Sequence, residues 1–216
     1  MTACNLWLQP HAGHLVTDGA MYDSDGVIHW IASKVVVADT ARMAIGFLGT
    51  VDQERIAAAL QQRRDNFGHS QEVALQSLVP IAMDLRLENT ARSPELEAQG
   101  LNGFALLAVT WDARAGHPRG WIVQTEDAPH QMADPWTLHE TFGYTTPDVP
   151  TPIDMACGHL SGIQHGLEVL EAQRRQPQHG QHIVGGFGEV TTVTADGVRK
   201  VRLVDWPDKI GERITP

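Results

Sequence analysis

Three residues in the first part of the chain, Thr2, Asp18 and Lys34, have side chains that together could carry out acyl transfer, and two equal gaps of sixteen residues separate them. If Met1 is removed, Thr2 carries both a hydroxyl and a free α-amino group. The pKa of such an amine is about 8, so it can accept the hydroxyl proton at neutral pH. A nearby Lys34 ammonium would lower the pKa of this amine and stabilise the developing alkoxide, while Asp18 would keep Lys34 charged and oriented.

Two turn signals indicate that these three side chains lie close together. An Asp-Gly signal ends at Gly26, which is the midpoint between Asp18 and Lys34. Pro10, inside a predicted turn region, is the midpoint between Thr2 and Asp18. Because opposite residues of antiparallel strands project from the same face, the sequence predicts one shared face for all three. The first register is open to a shift of one or two residues by a bulge.

The remainder of the chain groups strands and helices rather than alternating them. Apolar runs flanked by turn signals predict strands at 3–8, 14–17, 27–31, 35–37, 43–48, 104–109 and 120–123, and a closing hairpin of 182–194 with 198–206. Helical spacing predicts helices that begin at Thr50, with Gln53 completing a capping box, near Ser70, with a break at Pro80, and at 162–175. Residues 126–155 are expected to be irregular. This grouping favours a single α+β domain over 1–216, with antiparallel sheets and helices on their outer faces.

The composition restricts the classes of function. A net charge of −10 argues against nucleic-acid binding, which needs clustered Lys and Arg. Hydrophobic residues make up 42% of the chain, enough for a packed core, and no apolar run reaches the roughly 20 residues that a membrane-spanning helix requires. Two cysteines without a CxxC motif, and no recognisable secretory signal, favour the cytoplasm. We expect no metal and no cofactor, because no motif for either is present.

The spacing of Thr2, Asp18 and Lys34 resembles that of proteasome β subunits and HslV-type peptidases, which are N-terminal-nucleophile (Ntn) hydrolases. Further similar segments are the strand-to-helix junction at 43–52, the central strand at 106–112 and the last hairpin around 185–197. The resemblance implies a four-layer αββα sandwich of two antiparallel sheets flanked by helices. It implies a threonine-type peptidase or amidohydrolase that cleaves peptide or amide bonds through an acyl-enzyme, with the Gly49 N–H as oxyanion donor. It also implies a homo-oligomeric ring, with a separate ATPase unfoldase as a potential partner.

The sequence departs from the family pattern at the accessory residues. Val184 stands where the family usually has a Ser before Gly-Gly, and no Asp lies between Glu171 and Gly185. A second active-site Ser of the family has no clear counterpart, and Cys157-Gly158 and Ser161-Gly162 are the candidates. The alternative function is therefore a non-catalytic Ntn-fold structural subunit of an oligomeric assembly.

Other reactive side chains receive simpler interpretations. Cys4 would need a further cleavage to become N-terminal, so it is predicted to be a buried strand residue. The pairs His11/His14 and His179/His182 lack the Cys or carboxylate spacing of a zinc site, so they are predicted to be solvated loop histidines.

Overall fold

The computed structural model of the chain describes residues 3–23, 25–49, 53–67, 70–98, 100, 102–128, 133–147, 162–178 and 180–216. Within them the protein has a mixed α+β architecture in which every strand pair is antiparallel. None of the helices in these ranges is long and apolar enough to cross a bilayer.

Strands and helices follow the grouped order that the sequence predicts. The strands are β1 (Cys4–Gln9), β2 (Ala12–Asp18), β3 (Ala20–Tyr22), β4 (Ile28–Ile31), β5 (Val35–Ala38), β6 (Met43–Gly49), β7 (Phe104–Asp112), β8 (His117–Gln124), β9 (His139–Thr141), β10 (Gly143–Tyr144), β11 (Phe187–Thr194) and β12 (Gly197–Asp205). The helices are α1 (Gln53–Phe67), α2 (Gln71–Gln76), α3 (Leu78–Arg92), α4 (Pro94–Ala98) and α5 (Gly162–Arg175), with a short 3-10 turn at Asp39–Ala41.

These strands form two five-stranded sheets and one separate hairpin. The first sheet has the order β10-β1-β2-β11-β12, and the second has the order β5-β6-β7-β8-β9. The hairpin β3-β4 lies in sequence between β2 of the first sheet and β5 of the second. The chain therefore passes from one sheet to the other in the segment 19–34, which is the segment that separates Asp18 from Lys34.

Side-chain alternation along the strands divides the core into three main clusters. One cluster joins the second sheet to α1 and α3, and includes Met43, Ile45, Phe47, Ile56, Ile81, Leu85, Leu106 and Ala108. A second cluster joins the two sheets, and includes Cys4, Leu6, Leu15, Val35, Ala44, Leu48, Leu107 and Val109. A third joins the first sheet to α5, and includes Ala3, Trp7, Val16, Leu170 and Val190. Both faces of β6 and β7 are thus buried, which explains why these strands are apolar without alternation.

Most predicted elements are confirmed, and the turn chemistry explains several of their ends. Gly26 adopts φ +77° in the predicted Asp-Gly turn. The Ser70 hydroxyl accepts a hydrogen bond from the Val73 N–H and caps α2, as expected for a helix starting there. The predicted break near Pro80 occurs at Ser77, which places Pro80 in the first turn of α3, where proline is tolerated. Thr50 lies outside the described residues.

Two predictions about the middle and beginning of the chain are wrong. Residues 126–155 are not wholly irregular, because β9 and β10 are edge strands of the two sheets. These strands have only three and two residues, too few to produce a readable alternation. The first turn is also tighter than predicted, since β2 already begins at Ala12.

Candidate functional site

Asp18 and Lys34 form a buried ion pair at the end of β2. The Lys34 Nζ lies 2.6 Å from Asp18 Oδ1, and the exposed fractions of the two side chains are 2% and 0%. Lys34 occupies the residue directly before β5, so the pair connects the first sheet to the second. The lysine and the aspartate that the turn signals predict to lie close together are therefore in contact.

Backbone amides account for much of the remaining hydrogen bonding of the Asp18 carboxylate. Oδ1 also accepts from the Ala3 N–H at 3.0 Å, while Oδ2 accepts from the Gly185 N–H at 3.0 Å and the Ala20 N–H at 3.3 Å. Backbone amides from the start of β1, from the residue two positions after Asp18 and from the segment before β11 thus donate to one carboxylate. This arrangement compensates the cost of burying a negative charge and fixes the orientation of both oxygens.

The register of the first hairpin differs by one residue from the predicted one. Cys4 is opposite Thr17, and the ladder continues past Cys4 with the Asp18 N–H donating to the Ala3 carbonyl. Ala3 rather than Thr2 therefore stands opposite Asp18, and the prediction of a Thr2–Asp18 cross-strand pair is wrong. Thr2 itself lies outside the described residues. The centre of this hairpin therefore lies between Pro10 and His11, half a residue beyond the predicted centre at Pro10.

The route by which Lys34 reaches Asp18 also differs from the predicted one. The two residues are not partners in a ladder, because β3 pairs with β4 as Ala20 with Ile31 and the strands end there. An irregularity between Met21 and Tyr22 shifts this register, and the Ala32 N–H donates to the Gly19 carbonyl just beyond it. Lys34 meets Asp18 through the length of its side chain rather than through cross-strand register.

Burial dominates the protonation behaviour of Lys34. Loss of hydration lowers the pKa of the Lys34 amine, and the negative charge of Asp18 only partly opposes this change. Asp18 thus favours the charged form of Lys34, as the sequence predicts, although its effect on the pKa is smaller than that of burial. The charged form of Lys34 is therefore less strongly favoured than that of an exposed lysine.

Cys4 is the buried strand residue that the sequence predicts. It lies in β1 in the cluster between the sheets, with 0% exposure. Burial raises the pKa of its thiol to about 12, although the nearby Lys34 charge acts in the opposite direction. Because the thiolate is the nucleophilic form, Cys4 is not a suitable nucleophile at neutral pH.

Gly49 is the exposed last residue of β6, on the strand next to the one that Lys34 precedes. Val35 pairs with Gly46, so Gly49 lies about 7 Å further along the strand than the position that would face Lys34. Its φ is +98°, and a Cβ at this position would lie only 2.3 Å from the Gly103 carbonyl oxygen. The backbone alone therefore requires glycine here, so the residue type does not by itself indicate an oxyanion donor.

The segment 184–186, in which Val184 departs from the family pattern, is held by a second buried ion pair. Arg174 of α5 binds Asp208 through two hydrogen bonds of 2.8 Å each, and it also donates to the Val184 carbonyl at 2.7 Å. Asp208 accepts from the Gly186 N–H at 2.7 Å. The amide that binds Asp18 is thus flanked on both sides by contacts of this pair. The sequence did not connect Asp208 with the site, because the family pattern places its Asp before Gly185, whereas Asp208 follows it.

His14 is not a solvated loop residue, and that prediction is wrong. It lies in β2 with 4% exposure, where one ring nitrogen contacts the Thr192 hydroxyl at 3.0 Å and the other contacts Gln9 Oε1 at 2.9 Å. Burial lowers the pKa of His14 to about 4, so its ring is neutral at neutral pH. His11 is exposed as predicted, and His179 lies outside the described residues. Within the ranges that the structure covers, no three His, Cys, Asp or Glu side chains are grouped as a metal site would require.

No protein-family model matches the chain, and a search of curated proteins also found no match.

Proposed function

We propose that the protein is an N-terminal threonine hydrolase in which Thr2, freed by removal of Met1, attacks peptide or amide bonds. The observation that carries this proposal is the buried Lys34–Asp18 ion pair beside the beginning of β1. Thr2 is joined through its carbonyl carbon to the nitrogen of Ala3, and that nitrogen lies 3.0 Å from Asp18 Oδ1. The covalent chain therefore limits how far Thr2 can be from the pair.

The start of β1 is buried on both faces. Cys4 and Leu6 belong to the cluster between the sheets, whereas Ala3 and Trp7 belong to the cluster beside α5. The charges of both Lys34 and Asp18 act on the Cys4 thiol, so this end of the strand lies next to the ion pair.

The proposed chemistry uses only groups of this chain. The α-amino group of Thr2 accepts the hydroxyl proton while the hydroxyl oxygen attacks the substrate carbonyl, and the proton passes to the leaving amine as the acyl-enzyme ester forms. Water then attacks the ester and restores the hydroxyl. Lys34 favours the reactive alkoxide through its positive charge, and Asp18 fixes its position. Gly49 N–H is the proposed oxyanion donor.

The finer assignment of the fold belongs to the same proposal. The observed core clusters, with helices on one side of each sheet and a shared cluster between the sheets, agree with a four-layer αββα sandwich of the Ntn-hydrolase type. By resemblance to proteasome β subunits we expect peptide or protein substrates and a homo-oligomeric ring in the cytoplasm. A separate ATPase unfoldase is a potential partner, and no nucleic acid, membrane or cofactor is expected.

One observation favours a second candidate, a non-catalytic Ntn-fold subunit of an assembly. Val184 is fully buried and apolar, and it contributes its carbonyl oxygen to Arg174 instead of a hydroxyl to the site. The accessory Ser and Asp of the family thus have no side-chain counterpart in this segment. This candidate keeps the fold and the ion pair but predicts no reaction at Thr2.

Labelling by a threonine-directed β-lactone tests the proposal. We expect one label per chain, located by peptide mapping on the N-terminal residue of purified protein. A Thr2→Ser variant keeps the hydroxyl and should still be labelled, whereas Thr2→Ala should not be. Unchanged labelling of Thr2→Ala would show that the nucleophile is misassigned. A processed wild-type protein that takes no label would favour the non-catalytic candidate.

A further inference from the structure

We propose that Ser33, Glu189 and Lys200 form a positioning network that holds Lys34 against Asp18; this inference rests on the proposed function for its catalytic meaning. None of the three is part of the catalytic set proposed above. They come from the segment before β5, from β11 and from β12. We call these three residues the bracket. Ser33 directly precedes Lys34, Glu189 and Lys200 both bind Ser33, and Lys200 also binds Val35, which directly follows Lys34.

Lys200 holds both neighbours of Lys34. Its Nζ donates to the Ser33 hydroxyl oxygen at 2.7 Å and to the Val35 carbonyl oxygen at 2.9 Å. The residues before and after Lys34 are thus tied to one ammonium group on β12. Since Lys34 lies between them, the backbone position from which its side chain extends is fixed on both sides.

Glu189 completes the bracket from the neighbouring strand. Its Oε1 accepts from the Ser33 hydroxyl at 2.6 Å and lies 3.4 Å from Lys200 Nζ. The Ser33 oxygen also accepts from the Val35 N–H at 3.3 Å, so the turn before β5 is closed around it. Each polar group of the bracket therefore has partners within it or on the adjacent backbone.

The bracket links Lys34 to the strand that carries Asp18. On β11, Glu189 is opposite Thr17 of β2, and the preceding residue Gly188 is opposite Asp18. One strand thus runs beside Asp18 and also binds the segment of Lys34. Because Lys34 and Asp18 belong to different sheets, such a link sets the separation of the two charged groups across the sheet interface.

The cost of this arrangement indicates that it is more than a structural tie. Glu189 has only 5% exposure, and an apolar residue of similar volume at a buried position is often as stabilising as an ion pair or more so. In some proteins buried charged groups are retained because they specify one geometry. Here the geometry that they specify is that of the lysine beside the proposed nucleophile.

Saturation kinetics of β-lactone labelling at Thr2 test the bracket. In Ser33→Ala and in Lys200→Met we expect the maximal labelling rate constant to fall about tenfold to a hundredfold, with the half-saturating probe concentration unchanged. A misplacement of about 1 Å can cost about a hundredfold in rate. Lys200→Arg should restore most of the rate, since a guanidinium can donate to both acceptors. Lys209→Met is the matched control, because this lysine is 3.8 Å from Glu212 in an exposed pair.

A crystal structure of Lys200→Met provides a measurement that is independent of activity. We expect Lys34 Nζ to leave Asp18 in this variant and to remain beside it in Lys209→Met. Labelling at the wild-type rate, or a Lys34–Asp18 contact retained unchanged, would overturn the bracket. If neither wild type nor Lys209→Met takes a label, the proposed hydrolase activity fails, and the Lys34–Asp18 distance still decides whether the bracket holds the lysine. Ser33→Ala, which removes one hydroxyl and no charge, serves if Lys200→Met does not fold.

Discussion

Two buried ion pairs bind the segment 184–186, and they are built differently. Asp18 contacts Lys34 through one oxygen and is bound in addition by three backbone amides. Arg174 contacts Asp208 through two hydrogen bonds, and its guanidinium also donates to the Val184 and Thr215 carbonyls. Among the contacts that the described residues make, the backbone donors of the first pair bind the carboxylate, whereas the backbone acceptors of the second bind the cation.

We propose that this difference separates a chemical role of the first pair from a structural role of the second. The Arg174 guanidinium is held in one orientation by four hydrogen bonds and by stacking 4.7 Å above the Trp206 ring. The Lys34 ammonium is a compact charge on a flexible stem, and burial lowers its pKa. The arrangement around Arg174 fixes chain segments, whereas the arrangement around Lys34 places a compact charge beside the start of β1.

The largest expected effect is a loss of stability in Arg174→Met. This variant leaves the buried Asp208 carboxylate without its bidentate partner and removes the donor to two carbonyls, so we expect a loss of about 3–5 kcal/mol in the free energy of unfolding. Urea denaturation measures it. Arg175→Met is the matched control, because this neighbouring side chain is 72% exposed, and we expect a change within about 0.5 kcal/mol. Equal losses of unfolding free energy in Arg174→Met and Arg175→Met would contradict the structural role assigned to Arg174.

Lys34→Met is expected to be less destabilising but to abolish labelling at Thr2. The Asp18 carboxylate keeps its three backbone donors in this variant. We therefore expect the free energy of unfolding to fall by about 2 kcal/mol, less than in Arg174→Met. The same urea series and the β-lactone assay measure the two effects. A folded Lys34→Met protein that is labelled as fast as wild type would contradict the assignment of a chemical role to this pair.

The smallest expected effect is on the pH dependence of stability. Since burial lowers the pKa of Lys34, the unfolded chain binds more protons than the folded chain between the lowered value and the ordinary lysine value of about 10.4. The contribution of Lys34 to stability therefore rises with pH through this window. We expect the difference in unfolding free energy between wild type and Lys34→Met to shift in favour of wild type as the pH increases from about 8 to 10. A difference that does not vary with pH would mean that Lys34 titrates as an exposed lysine does.

The proximity of Asp18 and Lys34 was predictable because the Asp-Gly turn at Gly26 reverses the chain between them. The contact itself depends on the length of the Lys34 side chain rather than on the predicted cross-strand register. The one-residue error in the first register could not be avoided, because a half-residue shift of a turn centre leaves no signal in the sequence. The shift matters all the same, since moving a strand by one residue exchanges the two faces.

The contacts that Gly185 and Glu189 make with the site could not be predicted, because they depend on tertiary packing. Gly185 binds Asp18 across 167 residues, and Glu189 binds Ser33 across 156 residues. No periodicity or turn signal connects positions so far apart, and each pairing depends on how β11 docks against β2. The same reasoning applies to His14, whose burial follows from the packing of α5 over β2 rather than from the residues around it.

The central claim is that residue 2 becomes the N-terminus and lies beside the buried Lys34–Asp18 pair. The intact mass of purified wild-type protein tests it most directly. We predict a mass lower than that of the full sequence by one methionine residue, so that every active chain begins with Thr2. Retention of Met1 on every molecule would leave the threonine without its free amine and would contradict the account.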